Sequence, residues 1–161
     1  MMRSLVAAAV WLIVAAAFNG ALSHRLSLGW VQPDFLLVVA VALSMRGTTN
    51  RAAWTGFVAG MFHSALWNEK MMALTISRMF ACIASVHFFR AFPVSGAGAA
   101  AVVTGAATLV AGILYLFLGL PTNLVQWLVE TFGGILYNAA LAVPVYVLQE
   151  RMASRRPTTS L

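Results

Sequence analysis

The feature that most constrains this chain is a series of apolar runs, at 5–22, 35–45, 52–67, 71–89, 96–120 and 124–148, separated by gaps of a few polar, proline or glycine residues. One helix needs about 20 apolar residues to cross a hydrocarbon core, so six spans would use about 120 residues and leave only turns and tails. No room remains for an extramembrane domain. Of the 161 residues, 61% are hydrophobic and 9% charged. Soluble domains carry about 25% charged residues, so an ordinary soluble protein is excluded. The expected architecture is an all-α polytopic membrane protein: a bundle of six transmembrane helices with short loops, forming one integral membrane domain over 1–161 that ends in a disordered basic tail at 149–161.

The breaks between runs carry their own signals. Pro33-Asp34 precedes the second run. Proline at a first helical position loses no hydrogen bond there, and an acid beside it suits the positive end of the helix dipole. The second and third runs are short for a full span, which predicts local bilayer thinning or extension of these helices into their flanks. Cys82 lies inside an apolar run and is the one cysteine, so no disulfide framework exists.

The net charge of +6 does not indicate nucleic acid, because a basic patch needs a solvated face. Here the basic residues sit mostly in the gaps. Arg3, Arg46, Arg51, Arg90, Arg151, Arg155 and Arg156 fall on one side of a six-helix topology, and Arg25 and Lys70 on the other. The positive-inside rule then predicts that both termini are cytoplasmic.

In lipid, helices approach closely only where small residues allow it. Ala52, Gly56, Gly60 and Ser64 recur every four residues; Gly98, Gly105, Gly112 and Gly119 recur every seven, with Ala101 and Thr108 on the same face. Either seam can hold the bundle together or accept a helix from another chain. Ionisable residues inside spans are costly and tend to face protein or a cavity. Arg78, Glu130 and His63 reach similar depth, roughly 6 to 10 Å below the outer surface at about 1.5 Å per residue. Two interpretations stay open for this cluster: an internal Arg78–Glu130 ion pair, or a polar site open to the outside for a ligand or partner segment.

Nothing in the sequence nominates catalysis. His24, His63 and His87 lie on different segments, which gives no metal-ligand spacing. There is no phosphate-binding glycine loop. Asp34, Glu69, Glu130 and Glu150 are too scattered to form an acid–base pair. The chain is expected not to be an enzyme and to need no cofactor.

Two blocks resemble a known family. Pro33-Asp34-Phe35-Leu36-Leu37, continuing through Arg46-Gly47 into Gly56-Phe57-Val58-Ala59-Gly60, is similar to the start of the rod shape-determining protein MreD family. Leu136-Tyr137-Asn138-Ala139-Ala140-Leu141-Ala142-Val143-Pro144-Val145-Tyr146, followed by the basic tail, resembles its last helix. The resemblance implies a non-catalytic subunit of the machinery that elongates the cell wall in the bacterial inner membrane. It implies a single-span partner of the MreC type, within an assembly that includes RodA, a transpeptidase and MreB. An alternative of similar size is the substrate-binding subunit of an energy-coupling-factor vitamin transporter, whose ligand would meet Arg78, Glu130 and His63.

Overall fold

The computed structural model describes residues 2–67, 70–91 and 96–154. Its helices are α1 (Met2–Leu22), α2 (Phe35–Ser44), α3 (Thr49–Trp67), α4 (Met71–Ala91), α5 (Ala97–Gly119) and α6 (Leu124–Ser154). Among the described residues there is no strand, only an isolated bridge between Leu28 and Val31.

The helix ends follow from local chemistry. Asp34 is the N-cap of α2, its carboxylate accepting from the Leu37 N–H at 3.0 Å, which satisfies one of the donors a helix start leaves unpaired. Asn123 does the same for α6, accepting from the N–H groups of Val125 and Gln126 at 3.0 and 3.2 Å. At the end of α5, Leu120 adopts a left-handed conformation with φ 45°. There Lys70 donates to the carbonyls of Gly119 and Leu120, placing a cation where the dipole favours one. α6 continues through Pro144 to Ser154. Residues 149–154, expected in a disordered tail, are therefore its last turns, and 155–161 lie outside the described residues.

α2 is the centre of the molecule. Its side chains from Leu36 to Ala42 are all buried, and it packs against each of the other five helices. A helix apolar on every face has no solvent side to present and is covered all round. At ten residues it is about 15 Å long, half of a hydrocarbon core of about 30 Å. Of the two short runs, α2 does not extend into its flanks, whereas α3 starts three residues ahead of the third run, at Thr49. Among the described residues, three helices are long and apolar enough to cross a membrane: Met71–Ala91, Ala97–Gly119 and Leu124–Met152.

The two glycine seams lie inside this bundle. A Cβ on Gly56 would come within 2.5 Å of the Arg78 carbonyl oxygen, and one on Gly60 within 2.5 Å of the Thr75 Cα. α3 and α4 thus touch backbone to backbone, with Ala52 and Ser64 also buried. On α5, Gly105 faces Ile135 at 3.4 Å and Gly112 faces the Thr131 side chain at 2.5 Å. Both are met by α6. Among the described residues no atom lies within 4 Å of a Cβ on Gly98, and the atoms nearest a Cβ on Gly119 belong to Tyr115 of its own helix, at 3.1 Å.

At the far end of α2 the chain is clamped again. The Arg46 guanidinium lies 4.7 Å from the Tyr146 ring centroid and 6.0 Å from that of Phe89. It also hydrogen-bonds the Tyr146 hydroxyl and pairs with Glu150 at 3.3 Å.

Candidate functional site at the start of α2

The segment 23–34 between α1 and α2 is exposed over 24–30 apart from half-buried Ser27. It turns back into the molecule, with Ser23 and Pro33 fully buried. Val31 is pressed on Gly133 of α6, where a Cβ would lie 2.3 Å from the valine Cγ2. The Tyr137 hydroxyl donates to the Leu26 carbonyl at 3.1 Å. Gly29, with φ +63°, makes the turn that brings the chain back. The N-terminus of α2 consequently starts in the interior, beside Asn138, about 21 Å along the α6 axis from its first residue at about 1.5 Å per residue.

An N-terminus placed there needs polar partners from other helices, because exposed N–H groups away from water are expensive. The Phe35 N–H donates to Asn19 Oδ1 at 3.1 Å, from α1. The Asp34 N–H donates to Asn138 Oδ1 at 3.0 Å, from α6. Asn138 in turn donates through Nδ2 to Thr108 on α5 at 3.3 Å. Two asparagines thus join α1, α2, α5 and α6 at one level.

The charge at this level is balanced by α4. Arg78, 5% exposed, pairs through Nη2 with Asp34 Oδ2 and donates from the same nitrogen to His63 Nδ1 at 2.9 Å. Asn19 Nδ2 lies 3.3 Å from that same ring nitrogen. Asp34 Oδ1 lies 3.6 Å from the same nitrogen, so Arg78, Asn19 and Asp34 all converge on His63 Nδ1. The α3·α4 crossing explains the meeting. Side chains on a helix lean toward its N-terminus, so Arg78 reaches back from the Gly56 contact toward the level of His63 and Asp34.

This corrects the expected pairing. Arg78 and His63 do come together, but the acid between them is Asp34. Glu130 is exposed and accepts from Gln126 Nε2, one turn earlier on its own helix, at 2.7 Å. It shares only a cavity with the other two. That cavity, about 420 Å³, opens between the start of α2 and the facing sides of α5 and α6, and Arg78, His63, Asp34 and Glu130 all line it. From segment 23–34, Ser23, Trp30, Gln32, Pro33 and Asp34 line this cavity.

Asp34, Asn19 and Asn138 were missed as members of this cluster. Asp34 was read as a cap alone, although an acid at a helix start can serve as cap and counter-ion together. Asn19 interrupts the first apolar run near its end, and Asn138 belongs to the second block that carries the resemblance. Of the glycines proposed for partner binding, Gly56 and Gly60 are filled by α4, and Gly105 and Gly112 by α6. Gly98 remains open and Gly119 is covered by its own helix. Comparison with protein-family models, with characterised proteins and with solved structures finds no match for this chain.

Proposed function

We propose that the chain is a non-catalytic, MreD-like subunit of the bacterial cell-wall elongation machinery, embedded in the inner membrane, that binds a single-span partner of the MreC type. One observation carries the reading. The helix α2, which lies within the first block that resembles the family, meets the second block, some 100 residues away in sequence, at both ends of α2. The Asp34 N–H donates to Asn138 Oδ1 at 3.0 Å, and Arg46 lies 4.7 Å from the Tyr146 ring. Short apolar matches arising by chance have no reason to fall in register along two neighbouring helices.

The charged groups fit a scaffold. Arg78, Asp34 and His63 engage one another and anchor α2, and none is committed to a nucleophile. In this reading segment 23–34 and α2 together make the second of six passes, which keeps both termini on the cytoplasmic side, as the arginine distribution requires. RodA, a transpeptidase and MreB belong to the wider assembly.

The test is purification from native membranes followed by mass spectrometry. A stoichiometric single-span protein with a large outer domain is the expected companion. A vitamin retained through purification, with no protein partner, would overturn the reading in favour of the transporter subunit, to which the polar cavity is the one feature that points. A reporter active only outside the cytoplasm, fused after Leu161, should be silent.

A further inference from the structure

The cavity at the start of α2 has a floor and a rim of different character. Asn19, Ser23, Arg78 and Asn138 form a floor in which each residue is at least nine-tenths buried. Trp30, Gln126 and Glu130 form an exposed rim. Among the described residues that line the cavity, Asp34, Arg78 and Glu130 are charged, and His63 sits beside the first two. Asp34 matches Arg78 within the floor. Glu130 bonds a neutral amide, that of Gln126, and among the described residues that line the cavity no cation pairs with it, so an unpaired carboxylate stands at the mouth.

The floor has the opposite need. Arg78 makes its hydrogen bonds through Nη2, leaving Nε buried without a partner, and the buried Ser23 Oγ is also without one. Buried polar groups in folded proteins are nearly always paired, and a guanidinium has five N–H groups and no acceptor. The floor therefore calls for a hydrogen-bond acceptor while the rim calls for a cation. Trp30 and Trp127 line the same space, and indole faces attract cations. The volume lies within the range of small-molecule sites, about 300 to 1,000 Å³.

We propose that this cavity binds a small organic amine that also carries a carbonyl or phosphoryl oxygen, with its ammonium group at Glu130 and its oxygen at Arg78 and Ser23. This goes beyond partner binding and stands independently of it. The shared chemistry has two sources, a free amine such as an amino-acid amide or the headgroup of an aminophospholipid.

The experiment uses the full chain in detergent, with thermal unfolding and titration calorimetry. Three probes are compared: phenylalaninamide, glycerophosphoethanolamine, and N-acetylphenylalaninamide, which lacks the cation. Saturable stabilisation by at least one of the two amines, and none by the acetylated compound, is the expected result; which amine binds identifies the source. Glu130→Gln should melt like the native chain without ligand and bind the amine about tenfold more weakly or worse, as loss of a charged hydrogen bond implies. Ser23→Ala should weaken binding without changing the preference for a cation. If neither amine shifts the melting curve, if the acetylated probe binds as well, or if Glu130→Gln binds as the native chain does, the cavity holds only water and the proposal fails.

Discussion

Two glycine seams run through this molecule, and they are filled differently. In the α3·α4 seam, glycines four residues apart face the neighbouring backbone, at Arg78 and Met79 for Gly56 and at Thr75 for Gly60. In the α5·α6 seam, glycines seven residues apart face side chains where they face a partner at all: Ile135 and Ala139 for Gly105, Thr131 for Gly112. The spacing tells which kind of contact follows. Four-residue small-xxx-small spacing lets two backbones touch along a short crossing. A seven-residue repeat marks one continuous face, along which each position meets whatever the neighbour presents. A backbone obstacle cannot move without separating the helices, whereas a side chain can rotate.

The largest effect should come from the backbone seam. In Gly60→Leu the new side chain has no direction to go except through the Thr75 Cα, so α3 and α4 must part. Overpacking costs about 1–3 kcal/mol where side chains can adjust; here they cannot, and the folded protein should be lost from detergent extracts on size-exclusion chromatography. A second substitution on α4 should not restore it. A monodisperse Gly60→Leu protein with near-native melting would show that the two backbones are not in contact.

Much of this was legible because breakers and caps are local. The predicted runs at 71–89 and 124–148 begin at the residues where α4 and α6 begin, and for α6 the Asn123 cap fixes that start. The α2 boundaries were readable from Pro33-Asp34 and from Arg46-Gly47. What could not be read was the depth of the α2 start. Counting residues from the nearest outer turn assumes that each helix begins at the surface, and it left Glu130 as the natural partner for Arg78. α2 begins inside because segment 23–34 folds back, held by Val31 on Gly133 and by side chains from α1 and α6 that are distant in sequence. Within 23–34 the Gly29 turn permits the return, but the depth it reaches is set by those distant side chains.

The second effect tests whether the backbone seam also positions the charges. Breaking a buried pair by removing one partner costs about 3–5 kcal/mol, chiefly by leaving the other charge uncompensated. Arg78→Leu and Asp34→Leu should therefore each lower thermal stability by that order, with the double variant recovering part of the loss. Arg78→Leu combined with Glu130→Leu should instead be additive. By contrast Arg46 and Glu150, with side chains 50% and 56% exposed, should show a coupling of about 1 kcal/mol or less. Equal coupling of Arg78 to Asp34 and to Glu130 would undo the assignment of the pair.

A smaller effect, with a rescue, is expected in the side-chain seam. Gly112→Ala places a methyl group against the Thr131 Cγ2, at a cost of about 1–2 kcal/mol that a shift of the threonine partly relieves. Gly112→Ala with Thr131→Ser removes the obstructing methyl and should return most of the stability. If the serine change brings no recovery, the obstacle is not the threonine methyl and the contrast between the seams narrows.

The smallest effect on stability, and the most informative about partners, belongs to Gly98. It lies on the same face of α5 as Gly105 and Gly112 but is exposed, with no atom within 4 Å of the position a Cβ would take. Surface substitutions away from packed features change stability by about 0.5 kcal/mol or less, so Gly98→Leu should melt within a degree or two of the native chain. Its consequence should appear only in the assembly. A glycine that no internal neighbour requires, at the open end of a small-residue face, leaves room for a helix from another chain, and leucine would occupy that room. Gly98→Leu should therefore be purified folded from native membranes with less of the single-span companion proposed above, while Phe117→Leu, an exposed change elsewhere on α5, should retain it. Undiminished capture by Gly98→Leu would remove this end of the seam from the docking surface.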